Sequence, residues 1–299
     1  MKQNFSTSTA TLIGSCGLLL WSTTAFMAIH VTEMPTFEFL FMMLFVTLIC
    51  TLFRLTWNRK WAALSKSPKC WIIGSVCIPI NALGYYCAFK FISPAQADLI
   101  YYLYPIGGLL LAGIVFKNRI PKAAFAGAFL GFLGVFILFY DDVLSILSPD
   151  NLKGISFAGL AALSWSIYMI NSRLFSDTPH EMVGLFFGIG AIFYLIIHLM
   201  TESFVLPTLE ELFYILLWGI VIQSYSYSLW EIGIKKGNFI MMNIMSYMIP
   251  LCSILILIAS GNYPLTLQVL LATLFVIAGM AICPREAAPS TPDCDPNPR

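Results

Sequence analysis

Apolar runs of about twenty residues, separated by short polar stretches, recur along the whole chain. A helix needs about 20 apolar residues to cross the hydrocarbon core of a bilayer. That ruler places ten spans, at residues 10–30, 36–54, 71–92, 95–116, 121–140, 154–173, 180–200, 211–231, 239–259 and 264–283. The chain is expected to stay helical within them, because unsatisfied backbone in lipid is too costly. Lys2 ahead of the first run imitates a signal peptide, but the run's length favours a retained span. Composition supports the pattern: hydrophobic residues make up 59%, charged residues 10%, and the mean hydropathy is +0.84. A soluble domain carries roughly a quarter charged residues. The reading is an all-α, multi-pass integral membrane protein.

Charge placement adds an orientation. With the N-terminus inside, 14 of the 16 Lys and Arg fall in cytoplasmic segments, and only Lys90 and Lys153 fall outside. This positive-inside bias puts both termini in the cytoplasm. The loops "DDVLSILSPDNLKG" and "TESFVLPTLEE" are then external. The eight cysteines form no CxxC pair, so neither a metal site nor a disulfide framework is expected. The proline-rich tail, 284–299, is expected to be disordered and cytoplasmic.

The pattern also repeats. Trp21-Ser22 and Trp165-Ser166 lie 144 residues apart. Tyr102…Pro105 matches Tyr247…Pro250 at an offset of 145, as do Lys90 with Lys235 and Gly134 with Gly279. Matches in chain order at nearly one offset indicate two units of five spans, 10–140 and 154–283, after a short N-terminus (1–9) and joined by an external linker (141–153). Five is odd, so the second unit enters the membrane in the opposite sense. Such inverted repeats give many transporters two alternating states around one midplane site.

At this point the chain resembles the ten-helix, EamA-type branch of the drug/metabolite transporter superfamily, and within it the aromatic amino acid exporters. The residues that carry the resemblance are "ATLIGSCGLLLWSTT", "YYLYP", "SYMIP" and "LWEIGIKKGN", with the Trp-x-x-Gly-Ile-x-x-Gly-Asn pattern of Trp230 to Asn238 the most specific. An Arg common in span 2 of that family is absent from "FLFMMLFVTLICTLF". The resemblance implies two inverted five-helix units around a central cavity, lined chiefly by spans 3, 4, 8 and 9 with help from 1 and 6.

On those spans the aromatic candidates for substrate contact are Tyr85, Tyr101 and Tyr102 in the first unit. In the second they are Trp165, Tyr168, Tyr227, Trp230 and Tyr247, and Trp21 joins from span 1. Tyr102, Tyr247, Trp21 and Trp165 lie too deep for an interfacial belt; cavity lining and helix packing both remain open for them. Asn81 and Asn243 are the preferred polar contacts, with Gln223 and Asn171 as further mid-span amides; helix-to-helix hydrogen bonding is their alternative role. Pro79, Pro105 and Pro250 are expected to bend helices at the site, as hinges or as static kinks. Glu231 is kept as a candidate gate or proton site because it follows Trp230 directly, while Glu38, Asp98, Lys90, Lys235 and Lys236 sit near span ends and read as snorkelling or capping charges. The small-residue runs of spans 5 and 10 suit dimer or bundle contacts.

No phosphate-binding loop or Gly-x-Ser-x-Gly elbow is present, and "HEMVG" lacks the second histidine of a zinc-protease motif. The expected activity is therefore transport and not catalysis. The reading is a secondary transporter of the bacterial inner membrane that exports aromatic or other neutral amino acids by alternating access, without cofactor, metal or nucleic acid. With no carboxylate expected at the midplane, facilitated diffusion is favoured over proton coupling. A nucleoside, cofactor precursor or drug-like cation as cargo is the alternative, a membrane-embedded enzyme or scaffold the weaker one. Monomer and homodimer are both left open.

Overall fold

The computed structural model describes residues 5–31, 34–66, 68–117, 119–143, 146 and 148–284. The tail expected to be disordered lies, from residue 285 on, outside the described residues. Among the described residues the fold is helical throughout. Ten apolar helical stretches run in chain order. The first unit holds α1 (Thr7–Trp21, resuming as Thr24–Ala28), α2 (Thr36–Trp57), α3 (Pro68–Ala88), α4 (Pro94–Tyr101, resuming as Tyr104–Val115) and α5 (Lys122–Leu138). The second holds α6 (Leu152–Leu174), α7 (Met182–Thr201), α8 (Leu209–Leu217 to Tyr227–Lys236), α9 (Phe239–Met245, resuming as Met248–Ala259) and α10 (Leu267–Ile282). Eight of these are long and apolar enough to cross a membrane; α5 and α10 are shorter, at 17 and 16 residues.

The helix breaks follow from the sequence. A proline ring lacks an N–H and clashes with the carbonyl four residues earlier. For Pro105 that residue is Tyr101, where the first half of α4 ends. For Pro250 it is Ser246, one residue past the first half of α9. Pro79, in contrast, stays inside a continuous α3. The middle of α8, Trp218–Ser226, winds as a π-helix, an uncommon geometry that recurs at functional sites.

Neighbouring hydroxyls satisfy many of the carbonyls around these irregularities. Ser166 Oγ donates to the Tyr104 carbonyl (3.0 Å), Ser253 Oγ to that of Ser22 (2.8 Å) and Thr47 Oγ1 to that of Gly219 (3.0 Å). Irregular backbone is tolerated at membrane depth when it is satisfied in this way.

The most extensive helix pairings are α5 with α10, α3 with α6, α2 with α7, and α1 with α8. Exchanging α1–α5 for α6–α10, and the reverse, returns the same four pairs. Glycines set the closest approaches. A β-carbon at Gly127 would lie 2.7 Å from the Gly279 carbonyl oxygen, and one at Gly279 would lie 2.6 Å from that of Gly127. The small residues of α5 and α10 thus serve each other within one chain. Large apolar side chains such as Leu12, Ile72, Ile114, Phe129, Leu199 and Leu274 face outward, as a lipid-facing surface requires.

Candidate functional site: an aromatic cavity between the helices

The repeat-related aromatics meet at the centre of the bundle. Trp21 and Trp165 are in edge contact with ring centroids 6.0 Å apart, and Tyr102 and Tyr247 approach to 6.5 Å. Around the first pair lies a cavity of about 210 Å³. Trp21 and Thr24 of α1, Asn81 and Tyr85 of α3, Tyr101 and Tyr102 of α4, Trp165 of α6 and Tyr227 of α8 line it. Pro79 lines it too, and its carbonyl accepts a 2.6 Å hydrogen bond from Tyr194 on α7. The π-helical turn of α8 brings Trp218, Ile222 and Gln223 to the wall.

Polar groups are few and well held. Asn81 Nδ2 donates to the Tyr101 hydroxyl (3.3 Å) and to the Ala161 carbonyl (3.0 Å). The indole N–H of Trp21 is buried and has no hydrogen-bond partner among the described residues. Leaving such a donor unpaired costs about 1–3 kcal/mol, a cost that a bound acceptor would offset. Asp98 also reaches the wall, where the Tyr85 hydroxyl donates to its Oδ1.

Four expected contact residues lie away from the cavity. Asn243 is fully buried, donates to the Phe239 carbonyl (2.7 Å) and packs its amide oxygen against Gly108. Tyr247 is fully buried against Gly131 of α5, and its hydroxyl has no partner among the described residues. Trp230 and Tyr168 form a layer beneath the cavity: Trp230 packs 4.9 Å from Trp165 and stacks with Tyr168 at 6.2 Å. Pro105 and Pro250 sit at helix breaks and do not line the cavity.

Beneath that layer is a network of buried charges. Glu231 pairs with Lys235 at 2.7 Å, and accepts from the Tyr168 hydroxyl (2.6 Å) and Ser172 Oγ (2.9 Å). Lys235 donates onward to Thr178 Oγ1 (3.0 Å), and Arg173 holds the Ile234, Lys235 and Gly237 carbonyls at 2.8–3.2 Å. Lys60 and Glu181 pair at 2.6 Å nearby. This network lies in the half of the bundle that carries the basic loops. The cavity lies toward the other end, with Thr24, Leu40, Tyr85 and Asp98.

Several wall residues were not among those singled out. Glu38 and Lys235 are not snorkelling charges: both are buried, Glu38 accepting from the Val205 N–H (3.0 Å) and Lys235 paired with Glu231. Asp98, read as a helix-end charge, also lines the cavity. The walls expected from spans 3, 4 and 8 are present, whereas α9 contributes only Ile249 among the described lining residues. α2 and α7 contribute instead, through Leu40, Met43 and Leu44 and through Phe187, Gly190 and Tyr194. Phe187, Gly190 and Tyr194 recur at helical spacing on one face, a signal that was available in the sequence. Among the described residues no cluster could hold a metal ion, and the seven described cysteines are free.

The profile of the EamA-like transporter family matches twice, over residues 8–140 and 152–283. The aromatic amino acid exporter YddG of Ancylobacter novellus is 28% identical over 286 residues, covering 93% of this chain and 97% of its own. The uncharacterized transporter YyaM of Bacillus subtilis is 25% identical over 208 residues, 66% of each chain. A solved crystal structure superposes with a TM-score of 0.87 at 27% identity, covering 93% of this chain and 96% of its own.

Proposed function

The chain belongs to the EamA-like transporter family, and from that premise we propose that it exports aromatic amino acids by alternating access at the cavity around Trp21 and Trp165. It is a multi-pass membrane transporter, not an enzyme. The observation that carries the cargo is the wall itself. Stacked and edge-on tyrosines and tryptophans enclose about 210 Å³, smaller than the drug-sized clefts of about 300–1,000 Å³. Burying one phenylalanine-sized side chain there is worth about 1.5–3 kcal/mol, and ring contacts add about 0.5–1.5 kcal/mol. The unpaired Trp21 N–H and the amide of Gln223 offer donors for a carboxylate. The name of the Ancylobacter novellus relative supports the same cargo.

In this reading ten spans form two inverted units, 10–140 and 154–283, with both termini cytoplasmic. The twofold family match and the self-mapping helix pairs support the repeat, and the basic loops support the orientation. The cavity then faces the exterior, and the Trp230–Tyr168 layer with the Glu231–Lys235 pair closes the cytoplasmic path.

Counterflow of labelled phenylalanine in proteoliposomes tests the cargo. Unlabelled tryptophan and tyrosine are expected to compete, nucleosides are not, and Trp165→Ala is expected to slow exchange about tenfold or more, the loss of about 1.4 kcal/mol or more of contact. Competition by nucleosides with none by amino acids would discard the cargo.

A further inference from the structure

Among the described residues that line the cavity, Asp98 alone has a side chain with a formal charge; no described lysine, arginine or histidine is among them. Its Oδ1 accepts from the Tyr85 hydroxyl, and no described residue donates to Oδ2 or forms an ion pair with the carboxylate. Asp98 is half-buried, and a carboxylate set among aromatic walls without a counter-ion is costly. An incoming cation relieves that cost, whereas an incoming anion adds to it.

The surroundings favour the same sign. The Tyr85 and Tyr101 rings lie 5.1 Å apart and the Tyr101 and Tyr102 rings 6.0 Å apart, all on the wall beside Asp98. The faces of such rings attract cations. Tyr85 also fixes the carboxylate from behind, which leaves Oδ2 for a ligand.

We propose that Asp98 binds the ammonium group of the cargo, so that the site takes protonated aromatic amines as well as aromatic amino acids. This rests on the reading of the cavity as the transport site, and it changes what the cargo must possess. The ammonium and the ring are required, while the carboxylate is dispensable because only neutral donors face it. An aromatic acid without an amine is excluded by repulsion from Asp98.

The test is thermal stabilisation of the detergent-purified, full-length protein by three probes: phenethylamine, phenylalanine and 3-phenylpropionate. Phenethylamine is expected to raise the melting temperature of the wild type. The concentration needed should rise about tenfold or more in Asp98→Asn, as loss of a charge-assisted hydrogen bond implies. Asp98→Glu, which keeps the charge, should recover part of the effect, and 3-phenylpropionate should have none. Equal stabilisation of wild type and Asp98→Asn by phenethylamine, or of neither, would overturn the assignment. The export reading is judged separately, by phenylalanine counterflow in the wild type: failure there with an Asp98-dependent amine shift intact would discard amino acid transport and keep the ammonium site.

Discussion

At the scale of single residues, the buried charges divide by partner. Glu231 is only 1% exposed, so its partners are Lys235 at 2.7 Å and the two hydroxyls that reach it. Removing one partner of a buried pair strands the other, at about 3–5 kcal/mol. Lys235→Met is accordingly expected to lower the melting temperature in detergent, and adding Glu231→Gln should restore most of the loss. A single variant as stable as wild type would mean that the pair carries no such weight. Why the sequence misjudged this site is physical. Glu231 and Lys235 lie near a helix end, where charges normally reach water; here Arg173, Thr178 and Tyr168 from other segments fold over that end. Trp21 and Trp165 were legible because a tryptophan so deep in a span has no interface to reach.

At the scale of helices, sequence and structure agree at Pro105 and Pro250 and differ at Pro79, which stays inside a continuous α3. Pro105 and Pro250 end their half-helices within the preceding turn because the ring forbids the backbone bond. The π-helical stretch of α8 has no such marker in the sequence. It depends on contacts from α2, such as Thr47 to the Gly219 carbonyl and Arg54 to that of Ser224 (3.1 Å). The pairing of α5 with α10 rests on backbone closeness, since Gly127 and Gly279 each leave no room for a β-carbon. Gly127→Val is expected to destabilise by about 1–3 kcal/mol, read as a lower melting temperature. An unchanged melting temperature would show that the two helices can separate freely.

At the scale of the molecule, the near-symmetric helix pairs coexist with local asymmetry. α1 breaks after Trp21, whereas α6 runs on through Trp165; α3 is regular around Pro79, whereas α8 is π-wound. Where two units are inverted repeats, exchanging such differences between them interconverts the two access states, which is how the proposed alternating access would work here. A repeat was legible in four matches at nearly one offset, Trp-Ser, Tyr-x-x-Pro, Lys90 with Lys235 and Gly134 with Gly279, and the family profile matches the chain twice. Where the buried charge network lies was not readable, because it depends on side chains brought together from α6, α8 and the segment that follows α6. The most direct measurement is the distance between spin labels at Lys69→Cys and Lys236→Cys, in a chain with its other cysteines replaced, reconstituted with and without phenylalanine. The account predicts a short distance matching the closed half and a second, longer one whose share changes with phenylalanine. A single distance that phenylalanine leaves unchanged would contradict alternating access at this cavity.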